Sequence, residues 1–564
     1  MIFYKFLVFF ISKLSFKDLI KIFINYLLIF FLILFDIAFV IVIFLIFNPS
    51  NFKDSGFLSN FINDKIYIYS DIYNVEILSF KLILLVFFLI SKNLIYVLQN
   101  WFLYSYLYLL SAKISKNILK NFLRDNYQNF INKNISTYTK IITKDIDNVF
   151  SGIYQSIITI IGDLIYIIIL IFYSLKLVEI KIFSEHLFLI LILTFLLIFN
   201  WKKNITLGIL RNNYETKIFE KLNEIFLAIK EIKVFNKINF FSNSFYKYSK
   251  NFYKIRIYSG VVNILPKIFF EISAFIFLVI SYFNFEGKIN EFISSITILA
   301  FVFMRILPPL NKISQNFNSC LYFNESLKLI EKTYNKTNKE QTSKFSELRK
   351  ISLKDISYSH LKNKRKIQII NNFNLDLVPG KIYGILGKSG RGKTTLLNII
   401  CGLIKPDSGK ILINNKFVTL DNIYNKYRVG IVNQEPYILD GSVYENITLN
   451  FKKNIKINYE DKQKIKKLLN YFNLKKYSNE RNLNNHSLSL NKKLSGGEKQ
   501  RISLIRSIYF DPDLLILDEP SAALDKINEN KLIKFLQKYK KNKIIILTSH
   551  KETLKKVIDK TIKL

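Results

Sequence analysis

The residues able to do chemistry lie in three places in the second half of the chain. Gly387-Lys388-Ser389-Gly390-Arg391-Gly392-Lys393-Thr394-Thr395 fits G-x-x-x-x-G-K-[ST], after the strand-like run Ile382 to Leu386 and before the helix-like run Thr395 to Ile400. Backbone N–H groups at a helix N-terminus wrap a triphosphate only where no side chain blocks them. Gly387, Ser389, Gly390, Gly392 and Thr395 are therefore candidate ATP contacts. Lys393 is expected to reach the β- and γ-phosphates, and the Thr394 hydroxyl to bind Mg²⁺. Leu514 to Leu517 is an apolar strand that ends in two carboxylates. Asp518 there should hold the metal's water shell, and Glu519 should polarise an attacking water. The third place is Leu494-Ser495-Gly496-Gly497-Glu498-Lys499-Gln500-Arg501, about a hundred residues after the first. ATP and Mg²⁺ are the expected cofactors.

These residues need a scaffold, and 564 residues allow two or more domains. The chain is 50% hydrophobic, with its apolar residues concentrated before residue 310, too apolar for an ordinary soluble protein. A net charge of +39 invites a nucleic-acid reading, but no basic patch falls within a recognisable nucleic-acid module, so none is expected as partner. Codon bias and basic loops beside a membrane account for the charge. Two cysteines, Cys320 and Cys401, cannot form a disulfide framework, and no Cys/His cluster has metal-ligand spacing.

Crossing hydrocarbon takes about 20 apolar residues. Ile22–Phe47, Leu82–Leu110, Ile153–Leu177, Leu187–Trp201, Ile268–Phe285 and Phe292–Leu310 give six candidate spans. The segment Ser111–Phe150 holds seven Lys/Arg against three acids, and Asn48–Phe80 holds two Lys against four. That bias places the former in the cytoplasm, the latter outside, and both termini inside. Ser111–Gly152 and Lys202–Pro266 are long, polar and helically patterned, as extensions of spans into the cytoplasm would be. No cleavable signal peptide is expected, because Lys5, Lys13, Lys17 and Asp18 interrupt the first apolar run. The expected plan is an N-terminal amphipathic helix (1–21), a transmembrane domain (22–332), a polar linker (333–350) and a nucleotide-binding domain (351–564).

The stretch L-S-G-G-E-K-Q-R, paired with the phosphate loop, resembles the signature motif of ATP-binding cassette (ABC) proteins. Six spans with long extensions followed by such a cassette resemble an ABC exporter half-transporter. The fold implied is a helical six-span membrane domain fused to an α/β P-loop NTPase. The resemblance implies short coupling helices near Phe130–Lys140 and Asn223–Phe235. It makes Gln434 the Q-loop residue at the metal, Ser521 to Asp525 the D-loop, and His550 the switch histidine at the γ-phosphate. Ser495, Gly496 and Gly497 would close over ATP held by a second cassette, so a homodimer is implied, with a heterodimer as the alternative. The adenine-stacking position, usually aromatic, holds His360, with Tyr358 as competitor. The loop Leu488 to Lys493 lacks the Gly and acid that exporters carry before the signature.

Gly260 to Glu271, Ser294 to Ile298, Arg305 to Pro308 and Tyr127 to Phe130 resemble PglK-type bacterial flippases of lipid-linked oligosaccharides. That resemblance implies a multi-pass protein of the bacterial cytoplasmic (inner) membrane with its ATPase domain in the cytoplasm. It also implies a polyprenyl-pyrophosphate glycan as cargo, received by Lys92, Lys267, Arg305 and Lys312. Charges in apolar spans are costly unless they face a cavity or a partner, so pairing of Asp36 or Glu271 with Lys92 or Arg305 is the structural alternative. A multidrug or lipid exporter shares the architecture. A peptide exporter with an N-terminal protease domain fits less well, given how soon Ile22 follows the start. A soluble ABC ATPase would require the spans to be a buried helical domain.

Overall fold

The computed structural model describes residues 15–47, 57–73, 75–131, 134–177, 180–283, 289–334, 345–362, 365–388, 390–417, 423–451, 458–479, 483 and 494–564. The expectations about Ser389, the loop 488–493, residues 1–14 and most of the linker lie outside them. The chain divides into two compact units, residues 1–125 with 133–338, and residues 126–132 with 339–564.

The first unit is helical. Its elements are α1 (Phe16–Phe47), α2 (Phe57–Ile72) and α3 (Ile77–Arg124). Helix α4 (Tyr127–Ile131) is a single short turn and groups with the second unit. Helix α5 (135–177) passes through π-helical turns at Ile141–Asp145 and Phe150–Tyr154. Then come α6 (Ile180–Leu227), the short α7 (Ile229–Val234), α8 (Ile238–Phe283) and α9 (Ile289–Tyr334). Helices α3 and α6 run for 48 residues each and α8 and α9 for 46. At 1.5 Å per residue that is roughly 70 Å, more than twice a hydrocarbon core.

Three stretches are long and apolar enough to cross a membrane among the described residues: Phe16–Ile43, Ile77–Arg124 and Ile135–Phe172. The other three expected spans fall on α6, α8 and α9. The plan changes in three places. Helix α1 is already formed at Phe16, so no break separates residues 16–21 from the first span. The loop expected outside the membrane contains α2, whose Ile66 packs with Ile41 and Leu45 of α1. The first short helix is Tyr127–Ile131, while Ile135–Lys140 already opens α5. The second, Ile229–Val234, lies inside the expected Asn223–Phe235.

Periodicity explains how these helices pack. Leu103, Leu107, Leu110, Ile114 and Ile118 recur every three or four residues and form one buried stripe on α3. It meets Ile146, Val149, Phe150, Ile153 and Ile157 of α5, and Leu327 and Ile330 of α9. A fully buried carboxylate, Asp145, fixes the alignment of α5, α6 and α9. It accepts from Ser326 Oγ at 2.7 Å and Asn212 Nδ2 at 3.1 Å, and pairs with Lys140 at 3.4 Å.

The cassette has two sheets. One is antiparallel in the order β2-β1-β4-β5, from β1 (Ile351–Lys362), β2 (Arg365–Leu377), β4 (Ser408–Ile413) and β5 (Lys416–Phe417). The other is parallel in the order β6-β7-β8-β3-β9. Its strands are β3 (Lys381–Leu386), β6 (Val429–Val432), β7 (Leu514–Asp518), β8 (Ile544–Thr548) and β9 (Lys560–Lys563). Strands β7 and β8 are buried along their whole length. Their sequences accordingly read as unbroken apolar runs rather than alternating ones. The helices that matter for the site are α10 (Lys393–Ile400), α11 (Gly496–Tyr509) and α12 (Lys526–Tyr539).

Candidate functional site

The catalytic candidates gather where β3, β7 and β8, neighbours in the sheet, end at their carboxyl edge. The phosphate loop leaves β3 and turns into α10. Gly390 and Gly392 sit at φ +81° and +87°, where a side chain would be strained, and a Cβ on Gly392 would also overlap Ile369. Lys393 folds back across the loop, donating to the Gly387 carbonyl at 2.9 Å, and its Nζ lies 2.8 Å from His550 Nε2.

Asp518, at the end of β7, takes a hydroxyl on each oxygen. Thr394 Oγ1 donates to Oδ2 at 2.9 Å, and Thr548 Oγ1 donates to Oδ1 at 2.6 Å. The next residue, Glu519, has φ +47°, and its backbone N–H donates to Thr548 Oγ1 at 2.9 Å. That left-handed turn swings the second carboxylate away from the first. Glu519 Oε2 accepts from Gln434 Nε2 at 3.1 Å, and its Oε1 lies 3.4 Å from His550 Nε2. Lys393, Thr394, Gln434, Asp518, Glu519 and His550 thus form one connected cluster. Hydroxyl, amide and carboxylate oxygens are the hard donors that Mg²⁺ takes, so Thr394, Asp518 and Gln434 suit that ion.

Thr548 was not singled out from sequence. It is fully buried, bonded to both carboxylate-bearing residues, and marked in the sequence only by its place at the end of β8, two residues before His550.

The other predicted residues lie apart from that cluster. Ser495 is the N-cap of α11 in a capping box: its hydroxyl accepts from Glu498 N at 3.3 Å, and Glu498 Oε2 accepts from Ser495 N at 2.9 Å. Burial works against the Glu498 charge, but Lys476, 2.5 Å away, and Ser495 hold its carboxyl below the usual range. A Cβ on Gly497 would stand 2.7 Å from the Ala523 carbonyl, so the start of α11 rests on the segment 521–525. Asp525 caps α12, accepting from Asn528 N at 2.8 Å. Tyr358 is buried in the cassette core, while His360 is exposed.

In the helical unit, Lys92 and Arg305 converge on one carboxylate. Asp36, 1% exposed, lies 2.6 Å from Lys92 Nζ and 3.4 Å from Arg305 Nη1, and accepts from Tyr166 OH at 2.9 Å. Lys267 pairs instead with Glu271 on its own helix, at 3.7 Å. Lys312 donates to Tyr96 OH at 3.4 Å and lies over its ring. The four cavity candidates therefore do not form one set of free cations. Two are tied to Asp36, as the pairing alternative expected.

Residues 370–522 match the ABC transporter family model. The whole chain superimposes on a bacterial Atm1-family ABC exporter with ATP bound, with a TM-score of 0.78 over 97% of this chain and 93% of that one, at 12% identity. The chain has the fold of an ABC exporter half-transporter, with an ABC transporter domain at residues 370–522. A putative export ATP-binding/permease protein of Rickettsia typhi is 26% identical over 78% of each chain. The microcin-J25 export ATP-binding/permease protein of Escherichia coli is 34% identical over 36% of this chain and 34% of that protein. Helical membrane domain and α/β cassette are fused as the sequence implied, in an ATP hydrolase coupled to transport.

Thr548 ties the Asp518 carboxylate and the Glu519 backbone of this ATPase to one strand end. Thr548→Val keeps the shape but leaves a buried carboxylate oxygen and the Glu519 N–H short of a partner, at about 1–3 kcal/mol. Steady-state ATPase of the purified variant should fall at least tenfold, about 1.4 kcal/mol or more, while Thr548→Ser should keep most of it. Wild-type turnover in Thr548→Val would contradict this geometry.

Proposed function

We propose that the half-transporter works as a homodimer in the bacterial cytoplasmic membrane, with both termini and both cassettes in the cytoplasm. Two identical ATP sites would lie between the cassettes. The observation that carries this reading is the division of the motifs. Thr394, Asp518, Glu519, Gln434 and His550 are bonded into one cluster, whereas among the described residues the Ser495 side chain bonds only within its own capping box. The Ser495 oxygen already accepts from Glu498 N, which leaves its own O–H to donate to a phosphate on a second chain. Gly496 and Gly497 follow at the positive end of α11.

Within one site, Lys393 would release its two present partners to bind the β- and γ-phosphates. Thr394, Asp518 and Gln434 would hold Mg²⁺, which when bound neutralises phosphate charge. Glu519, turned by its left-handed backbone and steadied by Gln434, would orient and polarise water, with His550 placed to meet the γ-phosphate. His360 is the adenine-stacking candidate, since Tyr358 is buried in the core. In Glu519→Gln the carboxamide cannot take a proton from water. ATP hydrolysis should fall by at least a hundredfold while ATP affinity is kept. Undiminished hydrolysis would remove Glu519 from the role.

For cargo we propose an amphiphile with an anionic head, in the form of a polyprenyl-pyrophosphate-linked glycan. Lys92 and Arg305 against Asp36 make two positive charges and one negative, a net positive site where screening is weak. The neutralisation of one cation by Asp36 favours a second reading, a multidrug or lipid exporter. Removing the cations alone would strand a buried carboxylate. The informative variant is Lys92→Gln with Arg305→Gln and Asp36→Asn. In proteoliposomes it should hydrolyse ATP but no longer flip a pyrophosphate-linked lipid. Normal flipping of that lipid would transfer the argument to the second reading.

A further inference from the structure

We propose that Lys551 is a positioning residue that locks the segment 521–525 to the switch histidine, so that the two move as one body. The proposal rests on the roles given above to His550 and to Ser521–Asp525. Lys551 directly follows His550 in the chain. Its ammonium donates to the Ser521 carbonyl at 2.8 Å and the Leu524 carbonyl at 3.5 Å, and pairs with Glu529 Oε2 at 3.0 Å. An ammonium has three N–H groups, and here two of its three partners are main-chain carbonyls near either end of that segment.

The other partner is itself anchored. Glu529 is 4% exposed, its second oxygen accepts from the Thr553 hydroxyl, and its backbone N–H donates to the Asp525 carbonyl at 2.9 Å in the first turn of α12. At the strand end, the Lys551 backbone N–H donates to Ser549 Oγ at 3.0 Å. The opposite side of the segment is closed by Gly497 against the Ala523 carbonyl. The segment is thus held between the start of α11 and the residue after His550. A shift of the 550–551 peptide must carry Ser521 and Leu524 with it or break two hydrogen bonds. Whatever Asp525 meets on a second chain is thereby linked to the position of His550 at the chain's own site.

Lys551→Ala alone would leave Glu529 buried and unpaired, so the test removes both charges. Lys551→Met with Glu529→Gln should fold and bind ATP with a Kd within about twofold of wild type, yet lose on the order of tenfold or more in kcat. Lys551→Arg should keep most of kcat, because the guanidinium retains the carbonyl bonds. Glu529→Gln alone leaves both carbonyl bonds and should also stay near wild type. The proposal is overturned if the double variant turns over normally, if its defect lies in KM alone, or if Glu529→Gln alone reproduces the full loss. Glu519→Gln serves as the reference. If it hydrolyses ATP normally, the site assignment itself fails; if it is inactive while the double variant is normal, only the role of Lys551 fails.

Discussion

The cassette depends on one carboxylate with a hydroxyl on each oxygen. Asp518 ends a fully buried strand and is held by Thr394 from the start of α10 and by Thr548 from the end of β8. Those two bonds tie the phosphate loop, the acid proposed to hold the metal and the strand that leads to His550. Charge so near a buried sheet is tolerable only when its lone pairs are satisfied, and here both oxygens are used. Glu519, one residue later, is turned out of that enclosure by its left-handed backbone, toward Gln434 and His550. Adjacent carboxylates thus receive different surroundings from a single dihedral change.

The helical unit shows the same dependence of position on satisfied charge. Asp145 joins α5, α6 and α9 through Lys140, Asn212 and Ser326. Asp36 joins α1, α3, α5 and α9 through Lys92, Tyr166 and Arg305. Hydrocarbon gives apolar helices little reason to prefer one neighbour over another, so polar contacts of this kind carry much of the specificity. For Asp36 the same arrangement bears on cargo, because a cation already paired offers less to an anion than a free one.

Much of this was legible in the sequence where spacing and period carry information. The G-x-x-x-x-G-K-[ST] run, the unbroken Leu514–Leu517 strand and the S-G-G-E stretch each dictate local backbone, and each lies where expected. The S-x-x-E pattern at Ser495 and Glu498 also encodes a capping box, a local signal that reading the stretch as a motif passed over. Contacts between distant segments were not legible. Nothing near Thr548 or Lys551 in the chain announces Asp518 or Ser521, because the parallel sheet alone brings β7 beside β8. Pairing in the membrane half was open for the same reason: apolar flanks reveal that Lys92 and Arg305 are costly, not which acid offsets them. The first short helix, Tyr127–Ile131, begins a few residues before the expected Phe130–Lys140, since polar sequence continues evenly across the bend.

The central claim is that each ATP site is built from two chains, with Ser495 serving the phosphate loop of its partner. Retention of ATPγS through rapid gel filtration tests it most directly, using differently tagged chains carrying Ser495→Arg or Lys393→Ala. Each parent homodimer has one defect in both sites, whereas the purified heterodimer has one intact composite site and one doubly defective site. The account predicts one trapped nucleotide per heterodimer and none in either parent. No trapping in the heterodimer, or equal trapping in the Ser495→Arg homodimer, would contradict it.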